Sequence, residues 1–223
     1  CGTGCLSRIL LERFRFKKIH ITDISPAMIK KCKENLLKTG FFSSHISFGL
    51  QDGENLILRE KFDLIISNAC FQWFTNLPES LGKLYAFLKP GGSLWFSTFG
   101  PQTFKEMHVS FQKAYTGLGL ASADDKHGQE FYSPYEIGNM LKTAGFSDVF
   151  TFNEIIRQKY ADVKEFFLNI KKIGARNAKS NSRMILNRRV LEKMKDHYVK
   201  DFAFEDGISC TYELVFCGGK KIV

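Results

Sequence analysis

Gly2-Thr3-Gly4 precedes a helical run of apolar residues, and Asp23 closes the next strand-like run, 19 residues beyond Gly4. Glycines let a backbone approach a ligand closely, and a carboxylate at this spacing accepts both hydroxyls of a ribose. Ile24 shares that strand end. The same pattern also fits a tight strand-to-helix turn with a surface aspartate, so the spacing leaves both readings open. Gln51-Asp52 follows a further strand, where an acidic side chain reaches an adenine amino group. Asn68 closes the apolar run FDLIISNA at residues 62–69. Locally, Asp52 also suits a turn and Asn68 a strand-end cap.

Phe71, Gln72, Trp73 and Phe99 follow strand ends, where α/β sheets take their ligands. Phenylalanine and tryptophan here also suit a core. Gln72 is the stronger functional candidate, because an amide in an apolar stretch needs a partner. Neither the six cysteines nor the five histidines have metal-ligand spacing, so no metal is expected. Scattered thiols in a chain of this length read as reduced, mostly buried residues of a cytoplasmic protein.

The elements that must position these residues alternate up to about residue 100. Helical spacing covers Leu6 to Phe14, and Ile19 to Ile24 reads as a strand. Ser25 is a helix N-cap with Pro26 in the first turn, and Thr39-Gly40 ends that helix. Strands follow at Ile46 to Phe48 and, buried, at Phe62 to Ser67. Pro78 to Leu88 is helical, Lys89-Pro90-Gly91-Gly92 is a turn, and Ser93 to Thr98 is a buried strand. Such alternation predicts a parallel sheet covered on both faces. Beyond it, Thr103 to Tyr115 reads as a helix, and Gly117 to Gln129 as a mobile loop. Ser133-Pro134 opens a helix that ends at Ala144-Gly145-Phe146. Asp148 to Tyr160 is strand-like, Val163 to Ile173 and Met184 to Phe202 are helical, and Ile208 to Phe216 alternates as a final strand.

The 223 residues are 44% apolar and 25% charged, as in a globular domain, and no apolar run is long enough to span a membrane. No signal peptide is recognisable, and the start at Cys1 without a methionine suggests that residues precede it. The net charge of +9 points to an acidic partner. Lys164 to Lys200 holds eleven Lys/Arg against three Asp/Glu, nearly the whole excess. This suits a solvated helix face, or electrostatic steering of an acidic protein.

The glycine turn, Asp23, Gln51-Asp52, Asn68 and the LKPGGSLWFST block at residues 88–98 together resemble the class I S-adenosylmethionine-dependent methyltransferases. The strand and acidic residue that open that pattern are absent from this sequence. A narrower resemblance rests on SNACFQWF (67–74), LWFSTFGPQTFKEMH (94–108), FYSPYEIGNMLKTAGF (131–146), YADVKEFFLNIKKIGARNA (160–178) and TYELVF. In this order the chain is similar to the malonyl-acyl carrier protein O-methyltransferases of biotin synthesis over nearly its whole length. Arg176 departs from the small polar residue expected at its position.

The resemblance implies one Rossmann-like α/β domain over residues 1–223. Its sheet is mostly parallel with an antiparallel C-terminal strand, and a helical insertion spans about 161–203. It implies S-adenosylmethionine as cofactor, bound by Gly2, Thr3, Gly4, Asp23, Ile24, Gln51, Asp52 and Asn68, with S-adenosylhomocysteine as product. The acceptor would be the free carboxylate of malonyl-acyl carrier protein or malonyl-coenzyme A, with Gln72, Trp73, Lys172 and Arg176 as catalytic candidates. A carboxylate is already ionised at neutral pH, so no general base is needed. A buried one still needs cations or donors, and Lys171, Lys172 and Arg176 are candidates, or else solvated helix charges. Two rivals stand beside this reading: a methyltransferase for another small molecule or RNA, and a non-catalytic cofactor-binding protein on the same fold. No RNA-binding module is recognisable, and neither nucleic acid nor membrane is an expected partner.

Overall fold

A computed structural model describes residues 1–41, 43–120, 131–172 and 188–222, with Lys172 described by its backbone. In chain order the elements are α1 (Cys5–Arg13), β1 (Ile19–Asp23), α2 (Pro26–Lys38), β2 (Ile46–Leu50), β3 (Phe62–Asn68), α3 (Leu77–Ala86), β4 (Leu88–Phe99), α4 (Lys105–Gly117), α5 (Pro134–Thr143), β5 (Phe146–Tyr160), α6 (Val163–Lys172), α7 (Arg188–Phe202), β6 (Ala203–Phe204) and β7 (Gly207–Lys221). The chain divides into two compact units. The first comprises Cys1–Phe96, Asn139–Val149 and Gly218–Val223, and the second Ser97–Gly138 and Phe150–Cys217.

Helix starts follow from local chemistry. Ser25 accepts the Met28 N–H at the head of α2, with Pro26 in the first turn. Ser133 and Glu136 cap α5 reciprocally, while at α6 Asp162 accepts the Glu165 N–H and Glu165 accepts the Ala161 N–H, which satisfies backbone donors around the helix start. β1 and β2 pair in parallel, from Ile19 opposite Ile46 to Asp23 opposite Leu50. Leu11, Ile21, Cys32, Leu36 and Ile46 form the core beneath them.

The other strands form a sheet in the order β3-β4-β7-β5, with the two-residue β6 antiparallel to β7. Ser147 bonds to the Lys220 carbonyl and Asn153 to Glu213, so β5 and β7 run antiparallel. The expected α/β class therefore holds: parallel pairing early in the chain and an antiparallel C-terminal strand. In the second unit Met107, Phe111 and Ala114 of α4, Phe166 of α6, Val190, Met194 and Tyr198 of α7, and Ile208 and Cys210 of β7 share one core. The helices expected as an insertion thus supply core residues.

Several local expectations are corrected. β3 is only partly buried among the described residues, with Leu64 and Ile66 37% and 39% exposed. The Lys89-Pro90-Gly91-Gly92 segment is not a separate turn but the start of β4. Gly91 takes φ +73°, and a Cβ at Gly92 would lie 2.9 Å from the Lys89 carbonyl oxygen and 3.0 Å from that of Phe62. The glycines thus bend the chain inside the strand, where other residues would break it. From Ser93 to Thr98 burial alternates, with Trp95 outward. α4 starts after Phe104, whose left-handed backbone ends the preceding turn. Cys1, Cys5 and Cys70 are exposed, so only three of the six free thiols are buried. The expected helical residues 184–187 and most of the expected 117–129 loop lie outside the described residues.

Phe166 is fully buried, with its ring against Phe104, Tyr160 and Tyr198. Phe166→Ala should cost about 3–5 kcal/mol through lost transfer energy and the cavity left behind. Urea unfolding beside Phe166→Leu, which keeps more of the volume, checks this: the leucine variant should lose markedly less.

Candidate active site

The first constellation is built on the ends of β1, β2 and β3. Asp23 Oδ2 accepts the Gly2 N–H at 2.8 Å and the Cys1 nitrogen at 2.7 Å, while Oδ1 accepts the Ser25 N–H at 2.9 Å. The glycine turn and the aspartate, 21 residues apart, are therefore in direct contact. The two glycines do different work. A Cβ on Gly4 would sit 2.7 Å from the Cys32 sulfur, so Gly4 lets α1 pack on α2. A Cβ on Gly2 would meet nothing within 4 Å: its backbone, at φ +52°, borders open space. Asn35 fixes the same turn by donating to the Thr3 carbonyl at 2.8 Å.

Ile24 is 68% exposed, a free apolar surface beside Asp23. The Gln51 N–H bonds to the Asp23 carbonyl at 3.0 Å, which ties the two strand ends together. The Gln51 amide is engaged twice with the Ile57 backbone, at 3.2 and 3.3 Å. Asp52 accepts the Glu54 N–H and the Asn55 amide, so it does form the turn its position suggested. Each of its oxygens keeps a further lone pair.

Asn68 is exposed at the end of β3. Ala69 then takes φ 49°, and Gln72 donates its amide to the Ala69 carbonyl at 2.8 Å. The partner that the buried Gln72 amide needs is thus local, and it holds the 69–73 turn. Phe71 belongs to the core, stacked on Phe74 at 4.8 Å and tilted against Phe96 at 4.5 Å, and Trp73 is half-buried. Sequence reasoning missed Cys70. Loss of water pushes its thiol up, although part of the residue faces solvent, and the Asp23 and Asp52 carboxylates add to the shift. Cys70 lies two residues beyond the end of β3.

The second constellation lies in the other unit. Phe99 is half-buried, its ring 5.9 Å from Phe131 and 6.2 Å from Tyr212. Two buried carboxylates, each 3% exposed, went unnoticed in the sequence. Glu106 accepts the N–H and hydroxyl of Thr211. Glu213 accepts the Gln102 N–H and the Asn153 amide, each at 2.8 Å. A glutamate inside the apolar strand TYELVF was the available signal, since a buried charge demands partners. Of the expected cations, Lys171 is exposed on α6, the Lys172 side chain is not described, and Arg176 lies outside the described residues.

A family model described as a methyltransferase domain matches residues 1–94. The malonyl-[acyl-carrier protein] O-methyltransferase of Brevibacillus brevis is 35% identical over 219 residues, covering 97% of this chain and 77% of that protein. The protein of the same name from Priestia megaterium is 36% identical over 219 residues, covering 95% and 77%. Among solved structures, the YcgJ protein of Bacillus subtilis aligns with TM-score 0.66 at 13% identity, covering all of this chain and 89% of that one. A Haemonchus contortus phosphoethanolamine N-methyltransferase in complex with S-adenosylhomocysteine aligns with TM-score 0.59 at 16% identity, covering all of this chain and 47% of that one.

Burial pushes the Asp23 carboxyl up, but its hydrogen bonds from the Cys1 nitrogen, the Ser25 N–H and the Gly2 N–H outweigh this and hold it below the usual range. A lowered folded-state pKa means that the contribution is present above the ordinary value of about 3.9 and is lost as pH falls through the lowered one. Asp23→Ala should therefore be less stable than the parent at pH 7, and the gap between their urea midpoints should close below about pH 4. A gap that stays constant down to pH 2 would contradict this origin of the stability.

Proposed function

The chain belongs to the malonyl-[acyl-carrier protein] O-methyltransferase family, and from that premise we propose that it methylates the free carboxylate of a malonyl thioester on acyl carrier protein, in the assembly of the pimeloyl chain of biotin. The observation that carries the cofactor half of this reading is the Gly2–Asp23 hydrogen bond beneath open backbone. A close backbone surface and a fixed carboxylate suit a nucleoside, so the residues present fit S-adenosylmethionine. When bound, that cofactor supplies an electrophilic methyl group for which the malonyl carboxylate oxygen is the acceptor.

The chain's own residues bind and orient. Gly2, Thr3 and Gly4 would cradle the amino-acid end, Asp23 the ribose hydroxyls, and Ile24 one face of the adenine. Gln51 and Asp52 would meet the adenine edge, and Asn68 the floor beside it. Gln72 holds the 69–73 turn through Ala69, with Trp73 as a wall. No base is required, so rate enhancement comes from orientation and exclusion of water, for which about 7–11 kcal/mol is the ceiling. Residues 1–223 act as one catalytic domain in this reading, located in the cytoplasm. Among the described residues no helix is long and apolar enough to cross a membrane.

Lys172 and Arg176 would draw in the anionic acyl group. The wider excess of charge serves the carrier: Lys164, Lys171, Arg188, Arg189, Lys193, Lys195 and Lys200 are all exposed on α6 and α7. Glu192 pairs with Arg188 and Asp196 with Lys193, which leaves the face strongly positive.

With labelled S-adenosylmethionine, malonyl-carrier protein should take up label and acetyl-carrier protein should not. Equal labelling of both, or labelling of RNA alone, would refute the assignment. Arg188→Glu combined with Arg189→Glu should slow use of the carrier-linked substrate but hardly alter malonyl-coenzyme A turnover. The defect should shrink in 1 M salt, where the screening length falls to about 3 Å. Equal losses with both substrates would mean damage to the pocket or fold instead of a docking defect.

A further inference from the structure

The loop after β2 carries Gln51 and Asp52, and it is anchored at two points. At its base the Gln51 N–H bonds to the Asp23 carbonyl at 3.0 Å. Farther along, Glu54 reaches the turn ahead of α3. Its Oε1 accepts the Thr75 N–H at 2.7 Å and the Asn76 N–H at 2.9 Å. The Thr75 hydroxyl donates to the same carboxylate, 3.0 Å from each oxygen. Lys83 of α3 donates to the Glu54 carbonyl at 3.0 Å and to the Asn55 amide oxygen at 3.3 Å. All of these residues belong to the first unit.

Asp52 lies between the two anchors. Its own bonds, from the Glu54 N–H and the Asn55 amide, shape the turn but leave open where the turn sits. Residues 74–76 decide that. A Cβ on Gly53 would lie 2.7 Å from the Phe74 ring, so the loop backbone rests directly on that ring. Phe74 is itself buried and stacked on Phe71. Burial pushes the Glu54 carboxyl up, but the N–H groups of Asn76 and Thr75 and the Thr75 hydroxyl outweigh this and hold it below its usual range. The group is therefore ionised at neutral pH, and hydrogen bonds to a charged acceptor are stronger than neutral ones. Its charge also stands at the N-terminal end of α3, where the helix dipole favours it.

We propose that Glu54 is a positioning residue for the base of the cofactor: by fixing the 51–55 loop to the head of α3, it holds Asp52 where the adenine amino group meets it. The inference rests on the S-adenosylmethionine reading above, in which Asp52 meets the adenine edge, and names what sets the selectivity for that base. A loop tied only at its base would have to be ordered by the ligand, at the expense of affinity. With Glu54 in place that ordering is completed in folding. A hydrogen bond weakens steeply as its geometry departs from linear, whereas apolar contact with Ile24 is non-directional. Glu54 therefore governs recognition of the amino group more than the grip on the nucleoside as a whole.

Calorimetry with S-adenosylhomocysteine and with its 6-deamino analogue, in which purine replaces adenine, tests this in the whole protein. The parent should prefer the adenine compound about tenfold or more, the scale of one hydrogen bond to a charged group, and Asp52→Ala should abolish the preference. Glu54→Ala should cut the preference about fivefold, chiefly by weakening the adenine compound. Glu54→Gln, which keeps the size and loses the charge, should cut it in the same direction and carries the test if the alanine variant does not fold. Added to Asp52→Ala, Glu54→Ala should cost little more affinity, because it acts through Asp52. A merely structural role predicts a lower unfolding temperature with the preference intact, or equal losses for both ligands. Either result overturns the proposal, as do losses that add fully in the double variant. A parent that binds neither ligand refutes the cofactor reading and this inference with it. A parent that binds both equally refutes the role of Asp52 at the base, and again the inference with it. A parent with the preference, matched by its Glu54 variants, refutes the inference alone.

Discussion

Two carboxylates, Glu106 and Glu213, are buried without a cation among the described residues, and the middle of the second unit is arranged around satisfying them. Burying a charge is costly unless donors surround it, and each hydrogen bond to such a group is worth about 1.5–3 kcal/mol. The donors come from both sides of the same junction. Thr211 on β7 serves Glu106 at the start of α4, and the turn that leads into α4 serves Glu213 on β7. Thr103 closes the exchange through the Glu213 backbone. This reciprocity fixes how α4 leaves β4, and with it Phe99, Phe104 and Tyr212.

The first unit solves a different problem by a different device. Its candidate site residues stand at strand ends, where the backbone stops pairing with neighbouring strands and its donors are free to hold side chains. Asp23 takes up the first turn of the chain, Asp52 takes up its own turn, and Gln72 restrains Ala69. Each polar side chain is thus half structural. Together these bonds hold the strand ends that carry the open backbone of Gly2 and the exposed Ile24.

The acceptor chemistry of the proposed reaction makes modest demands. A carboxylate nucleophile needs no deprotonation, so no catalytic base need be sought among the titratable groups. What such a reaction needs is a held acceptor and an attracted one. α6 and α7 carry exposed lysines and arginines.

Much of this was legible from the sequence because it is local. Caps at Ser25 and Ser133, the Pro26 and Gly40 boundaries, the strand–helix alternation and the Gly2-to-Asp23 spacing all act over a few residues or one structural unit. The ordered motif blocks were enough to place the chain in its family. Tertiary structure alone decided the rest. The glycines after Pro90 read as a turn, yet neighbouring carbonyls press them into a bent strand. Phe71 and Gln72 sit side by side at a strand end, and only packing made one a core residue and the other a brace. Glu106 and Glu213 are separated from their partners by up to 111 residues, so no periodicity could announce them. Local sequence sets what a segment tends to form, whereas burial and pairing across such distances are set only when the segments meet.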